Sequence, residues 1–125
     1  MSKQREKLGE VIIENLEIDL DEKYITNQET IQNKNIVEIF SIKILDLNVD
    51  MESLLALGKR TSISSRIAFE AKCENYAGWT TRIFEFKCNF EVTYNQNEQV
   101  FILDEFSQYF PFESTINRLT FSQHQ

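Results

Sequence analysis

Strict alternation of apolar and polar side chains marks residues 82–95, RIFEFKCNFEVTYN. The apolar or weakly polar positions are Phe84, Phe86, Cys88, Phe90, Val92 and Tyr94. Because successive side chains of a β-strand point to opposite faces, this period of two places three Phe rings on one face and charges on the other. Antiparallel sheets are the kind that tolerate one dry and one wet face. The segment therefore predicts a fold organised around an antiparallel sheet.

Length and composition narrow the class of protein. A chain of 125 residues with 42% hydrophobic residues is near the commonest domain size, so we expect a single domain over residues 1–125. No apolar run approaches the ~20 residues that cross a bilayer. The N-terminal sequence MSKQREKLGE is charged and lacks the hydrophobic stretch of a secretory signal. We therefore expect a cytoplasmic protein with no membrane partner.

The net charge of −7 is unevenly distributed along the chain. Residues 10–29 hold seven acidic groups against Lys23 alone, whereas residues 59–82 hold five basic groups against two acidic ones. Because phosphate repels an acidic chain, we expect no nucleic-acid partner. The acidic residues of 10–29 are interpreted either as a solvated face or as a surface that engages a basic partner.

Signatures of catalysis are missing from the sequence. The single histidine, His124, is next to the last residue, so a nucleophilic triad or a Cys–His pair has no base. Two cysteines and this histidine do not supply the four ligands of a zinc site, and no phosphate-binding or calcium-binding loop occurs. The acidic pairs Asp21-Glu22 and Asp104-Glu105 are interpreted as structural or solvated. We expect no enzyme activity, no cofactor and no metal.

Apolar alternation predicts three further strands, at residues 11–20, 36–51 and 63–74, with polar residues 21–35 as a long connection. In the second of these strands the apolar phase switches near Ile44 and Leu45. That switch predicts a bulge, or a strand buried on both faces at one end. Residues 53–58, SLLALG, fit either a helical turn closed by Gly58 or an extension of the strand.

A hairpin is expected where residues 75–79 join the last two strands, with Gly78 supplying the positive φ of the turn. Paired residues then sum to about 157, which places Cys73 opposite Phe84 and Cys88 opposite Phe69. Neither this geometry nor a reducing cytosol favours a disulfide. Both cysteines are expected to be small buried hydrophobes.

The pattern changes after residue 98. Apolar side chains recur at spacings of three and four from Leu103, which predicts a helix with Asp104 and Glu105 in its first turn. Pro111 either kinks this helix or starts a new one, and apolar spacing then continues to Leu119. The expected fold class is α+β: a four-stranded antiparallel sheet followed by a C-terminal helical segment.

Aromatic residues supply the candidate binding surface. Six of them fall between Phe101 and Phe121, more than a short helix needs to cover four strands. Surplus aromatic side chains favour a subunit interface or a partner groove. At the hairpin tip, the tryptophan is either folded back on the sheet or offered to a partner. The candidate partner-binding residues are Tyr76, Trp79, Phe106, Tyr109 and Phe112.

Residues 65–121 resemble the SecB-like export-chaperone family. Two long strands joined by a short turn lead into LDEFSQYFPFESTINRLTF, where the Phe110-Pro111-Phe112 element is similar to the family's helix start. Ile116, Arg118, Leu119 and Thr120 are similar to its amphipathic continuation. The resemblance implies a homo-oligomer that binds extended polypeptide passively on apolar grooves.

Three functional hypotheses follow. The leading one is a non-enzymatic protein-binding module of SecB-like architecture, a chaperone or adaptor with a protein or peptide partner. The alternative is a small acidic inhibitor, of the kind that mobile elements encode, which blocks a nucleic-acid enzyme with its acidic 10–29 surface. A carboxylate enzyme requires a deep pocket holding two acids with separated pKa values, and the sequence shows no sign of one.

Overall fold

The computed structural model describes residues 3–124, except for the side chain of Leu57. This part of the chain forms an α+β fold with a six-stranded antiparallel sheet and three α-helices. In chain order the elements are α1 (Lys3–Leu20), a π-helical turn (Asp21–Thr26), β1 (Thr30–Ile31), β2 (Lys34–Asn48), α2 (Met51–Leu57), β3 (Thr61–Asn75), β4 (Gly78–Asn95), β5 (Val100–Leu103), β6 (Phe112–Glu113) and α3 (Arg118–Gln123).

The three long strands β2, β3 and β4 form the centre of the sheet. The strand order is β1-β2-β3-β4-β5, and β6 pairs with a different stretch of β4 than β5 does. All of these pairings are antiparallel, as the alternation predicted. Three of the four predicted strands are present, and β1, β5 and β6 were missed because they are two to four residues long, which is too short to show a period.

Helix α1 corrects the strand predicted over residues 11–20. Its fully buried side chains, Leu8, Ile12, Leu16 and Leu20, recur every four residues along one face of the helix. The apparent alternation at residues 16–20 covers too few positions to outweigh this longer repeat, and Ile18 is consequently 68% exposed. Residues 21–35, predicted to be a connection, continue the helix as a π-helical turn and then form β1.

Other sequence predictions for the first half are confirmed. The strand predicted at residues 36–51 is β2, and its pairing with β3 shifts register between Ile44 and Asp46, where the phase switch predicted a bulge. Two further shifts occur, between Ile36 and Glu38 and between Ile39 and Ile42. Of the two alternatives for residues 53–58, the helical one is correct: α2 ends at Gly58, which has a φ of 60°.

The hairpin between β3 and β4 is tighter than predicted. Asn75 pairs with Gly78, whose φ is 117°, so Cys73 lies opposite Thr80 and Cys88 opposite Ser65. The predicted pairings of the cysteines with phenylalanines were therefore wrong by four residues. Both cysteines are free and buried, as expected, and burial raises the pKa of Cys88 to about 12.

The main core lies between α1 and one face of the sheet, here called the helix face. On β4 this face carries the six alternating side chains from Phe84 to Tyr94, and all six are buried. Phe69 of β3 contacts two of them, with ring centroids 5.5 Å from Phe84 and 6.0 Å from Phe86. The opposite face, called the charged face, holds a small apolar cluster of Ala68, Ile83 and Phe121, against which Leu45 and Ile116 pack.

The C-terminal helix predicted from Leu103 is wrong. Residues 104–117, here called the strap, run extended along the outer edge of β4, and the short helix α3 forms only after them. Pro111 disfavours a helical conformation at the residue before it, and the edge of β4 supplies hydrogen-bond partners to an extended chain. The strap turns around that edge onto the charged face, where Phe121 of α3 is buried.

Candidate functional site: an open strand edge beside an acidic groove

The outer edge of β4 is hydrogen-bonded along most of its length. The backbone N–H of Asp104 donates to Glu91 O at 2.9 Å, and that of Ser107 donates to Asn89 O at 2.8 Å. Further along, the N–H of Ser114 donates to Ile83 O at 2.8 Å, and β5 and β6 pair with the remaining stretches. This edge is therefore occupied by the chain itself.

The opposite edge of the sheet, formed by β2, is open. β1 pairs with Lys34 and Asn35 only, and within residues 3–124 no other strand pairs with the outer side of β2. Residues 36–48 of β2 are here called the open edge. At about 3.3 Å per residue this edge is about 40 Å long. An unpaired edge of this kind is a template for adding another strand.

The register identifies which backbone groups of the open edge point outward. Because Asn89 bonds to the strap, its N–H and C=O point away from β3, and its partner Ser64 points its own groups toward β2. The same alternation makes Ala68 and Lys43 a hydrogen-bonded pair. The residues on either side of Lys43, Ile42 and Ile44, then direct their N–H and C=O groups outward, where nothing among residues 3–124 bonds to them.

A groove of about 580 Å³ lies where the π-helical turn and the end of α1 meet β2. Its floor is apolar, with Ile39 and Ile42 of β2 beside Phe40, which is 47% exposed. Its wall is acidic, with Glu17, Asp21 and Glu22. Ile18 and Thr26 complete the lining of this acidic groove.

A second groove of about 580 Å³ follows along the same seam between α1 and β2. Ile44, Leu45 and Leu47 line it from the strand, and the helix contributes Glu6, Glu10 and Ile13. At its end the Arg5 guanidinium donates to Leu47 O at 2.7 Å, which occupies that edge carbonyl. Between Ile39 and Ile44, by contrast, the open edge has outward backbone groups that lie beside apolar side chains.

The electrostatics of the seam are one-sided. Glu6, Glu10, Glu17 and Asp21 recur at spacings of four and seven, which places them on one side of the helix. Among the described residues, Glu17, Asp21 and Glu22 form no ion pair, although the carboxylates of the charged face do. A cation entering the acidic groove would therefore meet carboxylates that have no other partner.

The structure separates the five candidate residues into two places. Tyr76 and Trp79 are exposed at the β3–β4 hairpin, and the Lys72 ammonium lies 4.1 Å from the centroid of the Trp79 ring. The other three are in the strap and β6, where Phe106 is half-buried, Phe112 is exposed and Tyr109 is 3% exposed. They do not form one continuous surface with the hairpin pair.

Tyr109 holds the strap to the core. Its ring stacks on Phe86 with centroids 4.3 Å apart, and its hydroxyl donates to the Asp19 carboxylate. Burial, and then the neighbouring Asp19 carboxylate, raise the pKa of Tyr109 well above its usual value. The Lys23 ammonium lies 4.8 Å from the centroid of the same ring. This residue fixes the covered edge rather than presenting a surface.

Sequence reasoning missed the residues of the acidic groove that come from β2. Ile39, Phe40 and Ile42 were placed in a strand, but a strand position does not reveal whether its edge has a neighbour. Ile18 was assigned to the wrong element. The available signal was Phe40, an aromatic side chain in a stretch whose apolar phase was already irregular.

No cluster of three or more His, Cys, Asp or Glu side chains that could hold a metal ion occurs within the described residues. Nor does any helix of residues 3–124 have the length and apolar character needed to cross a bilayer. Strong pKa shifts fall on buried groups of the core. The pKa of Tyr24, for example, is raised to about 12 by burial and by the Glu29 and Asp19 carboxylates. These shifts accompany packing and do not mark an acid–base pair.

Fold and groove together define an α+β protein whose antiparallel sheet has one covered edge and one open edge beside an acidic helix. No family model, curated protein or solved structure matches the chain.

Proposed function

We propose that the protein is a non-enzymatic protein-binding module that holds an extended segment of a partner polypeptide, as a chaperone or adaptor does. The observation that supports this proposal is the open edge of β2, where Ile42 and Ile44 turn unpaired backbone groups outward beside the apolar floor of the acidic groove. Strand addition of this kind obtains affinity from main-chain hydrogen bonds and specificity from the pockets that alternate side chains enter.

The irregular register of β2 limits how much of the edge takes part. Three shifts divide the strand, and bulges are a common protection of edges against uncontrolled pairing. Between the shifts, the stretch from Ile42 to Ile44 is regular. A partner would therefore pair over a short stretch and make most of its remaining contacts with the groove.

The finer sequence predictions keep the status of proposals. These are the SecB-like resemblance, a cytoplasmic location, a homo-oligomer, and partner contacts by Tyr76, Trp79, Phe106 and Phe112, the four candidates that are not buried. The exposed side chains of Phe110, Phe112 and Leu119 give a homo-oligomer an apolar surface far along the chain from the open edge.

The test is binding of a reduced, alkylated and unfolded protein, labelled with a fluorophore and followed by anisotropy. Ile42→Pro removes an outward N–H and leaves the bonds to β3 in place, so it should weaken binding at least about tenfold. Ile42→Ala is the matched control, since it also loses the side chain but keeps the N–H. Equal binding by the two variants, or no binding by the unchanged protein, would overturn the proposal.

The acidic inhibitor is a second candidate, and one observation favours it. The exposed carboxylates of α1 form a stripe, including Glu10, Glu14 and Glu17, that a basic cleft could accept. Such an inhibitor acts through charge. The Ile42→Pro variant should therefore still block a DNA-cleaving enzyme, whereas the Glu10→Gln/Glu14→Gln variant should lose inhibition. A panel of DNA-cleaving enzymes assayed with both variants separates the two functions.

A further inference from the structure

The acidic groove also says what kind of segment the open edge accepts, if the proposed binding function holds. We propose that the partner is an extended segment in which basic side chains alternate with apolar ones. The inference joins three features of the described residues: the outward backbone groups of Ile42 and Ile44, the apolar floor of the groove, and its unpaired carboxylates.

Strand geometry sets the direction in which the partner's side chains point. A strand added to β2 points every second side chain to the helix face, which is the side on which α1 and the π-helical turn lie. Those side chains enter the acidic groove. The intervening side chains point to the other face of the sheet and are not constrained by the groove.

The second step concerns chemistry. A Lys or Arg side chain has an apolar stem and a charged head. In the groove the stem would lie on Ile39 and Ile42, and the head would reach Glu17, Asp21 or Glu22. A carboxylate side chain in the same position would meet three like charges, and a short neutral one would leave them solvated. Charge complementarity therefore selects a basic segment.

The third step excludes a second copy of this chain as the occupant. Antiparallel pairing of two β2 edges has its twofold axis perpendicular to the sheet, so both α1 helices would flank the new seam on the same face. Their acidic stripes would then face one another, in a protein whose net charge is −7. Like charges across an interface disfavour that association.

The experiment compares three short, terminally blocked and fluorescent peptides, in which Val alternates with Lys, Ser or Glu. At low salt the Val/Lys peptide should bind at least about tenfold more tightly than Val/Glu, with Val/Ser between them. The advantage of Val/Lys over Val/Ser should disappear near 1 M salt, where charges are screened beyond about 3 Å.

Charge-neutral variants locate the effect. Glu17→Gln/Asp21→Asn/Glu22→Gln should remove the advantage of Val/Lys and leave Val/Ser binding unchanged. The matched control neutralises the same number of exposed carboxylates outside both grooves, as Glu52→Gln/Glu98→Gln/Glu105→Gln, and should leave all three affinities in their original order. Ile42→Pro should weaken binding of all three peptides.

Several results would overturn the inference, and they differ from failure of the proposed function. Equal binding of Val/Lys and Val/Ser overturns the basic partner and leaves the binding module intact. Val/Lys binding that survives Ile42→Pro shows attraction to the surface without strand addition. A concentration-dependent dimer that Ile42→Pro abolishes assigns the edge to a second copy. No binding of any peptide or of the unfolded protein removes the proposed function itself.

Discussion

The two edges of the sheet are formed by similar strands, but one edge is covered and the other is open. β4 and β2 are both long, both alternate in part, and both pair with the central strand β3. The outer edge of β4 is covered by the strap, including β6, and by β5, whereas within residues 3–124 the outer side of β2 is paired only at Lys34 and Asn35. The covered edge has regular pairing with β3 over its whole length, and the open edge has three register shifts.

The two edges also differ in how they are protected from pairing with other chains. Edges left open are normally short, charged or bulged, because a flat apolar edge pairs with other chains. β2 has the bulges but keeps Phe40 and Val37 exposed on the same strand. The covered edge thus buries its backbone groups against the chain itself, whereas the open edge leaves apolar side chains exposed.

Truncating an aromatic side chain beside each edge should give the largest contrast. Phe86→Ala removes a buried ring that stacks on Tyr109, and we expect a loss of about 3–5 kcal/mol in the free energy of unfolding. Phe40→Ala removes a half-exposed ring and should cost less than about 1 kcal/mol. Urea denaturation of both variants measures the difference. Equal losses would mean that Phe40 belongs to the core.

Proline at two neighbouring positions tests the assignment of inward and outward backbone groups on β2. Lys43→Pro removes the ladder hydrogen bond to Ala68 and should cost about 2–3 kcal/mol. Ile42→Pro removes no such bond and should cost clearly less. Because the Lys43 ammonium lies 4.9 Å from the centroid of the Phe121 ring, Lys43→Ala measures the side-chain share. A larger loss for Ile42→Pro would mean that the backbone groups of Ile42, not those of Lys43, point toward β3.

Tyr109→Phe should loosen the covered edge without emptying the core. The ring keeps its stack on Phe86, but the hydrogen bond to the Asp19 carboxylate is lost, at about 1–2 kcal/mol. Hydrogen exchange at the amides of Asn89 and Ser107 should quicken. The N–H of Ser107, in the strap, donates to Asn89 O, and the N–H of Asn89 donates to Ser107 Oγ. Exchange at the hairpin residue Asn75 should stay unchanged. Uniform quickening would indicate global unfolding instead.

The smallest expected effect is a dependence on pH at the charged face. Burial raises the pKa of Glu85, but hydrogen bonds from Ser114 and Arg66 and the charge of Arg66 outweigh burial, so the pKa lies below its usual value. A carboxylate with a lowered pKa in the folded state adds stability above its unfolded pKa, near 4.5, and that stability is lost as the pH falls through the folded pKa.

Urea midpoints of the unchanged protein and of Glu85→Gln should therefore differ at neutral pH and converge in acid. Glu98→Gln serves as the control because Glu98 is exposed and lies on the loop between β4 and β5. A difference that persists well below pH 4 would show that packing of the Glu85 side chain, not its charge, is what Glu85→Gln removes.

Periodic segments were predicted well because their pattern is set by burial. The face of β4 from Phe84 to Tyr94 was identified correctly, and so was the phase switch of β2. α1 was missed because a short window of alternation was preferred to the longer repeat from Leu8 to Leu20. The strap was missed because the spacing of Phe106 and Tyr109 also fits a helix.

Local pattern was enough to predict an antiparallel sheet and the buried face of β4, and the net charge of −7 follows from composition. Those properties depend on neighbours along the chain. The cover of the strap over β4, and the absence of a strand within residues 3–124 on the open edge of β2 beside the carboxylates of α1, became visible only in the folded chain. Whether an edge is paired depends on residues far away in sequence, and the free energy of that pairing is not contained in any local pattern.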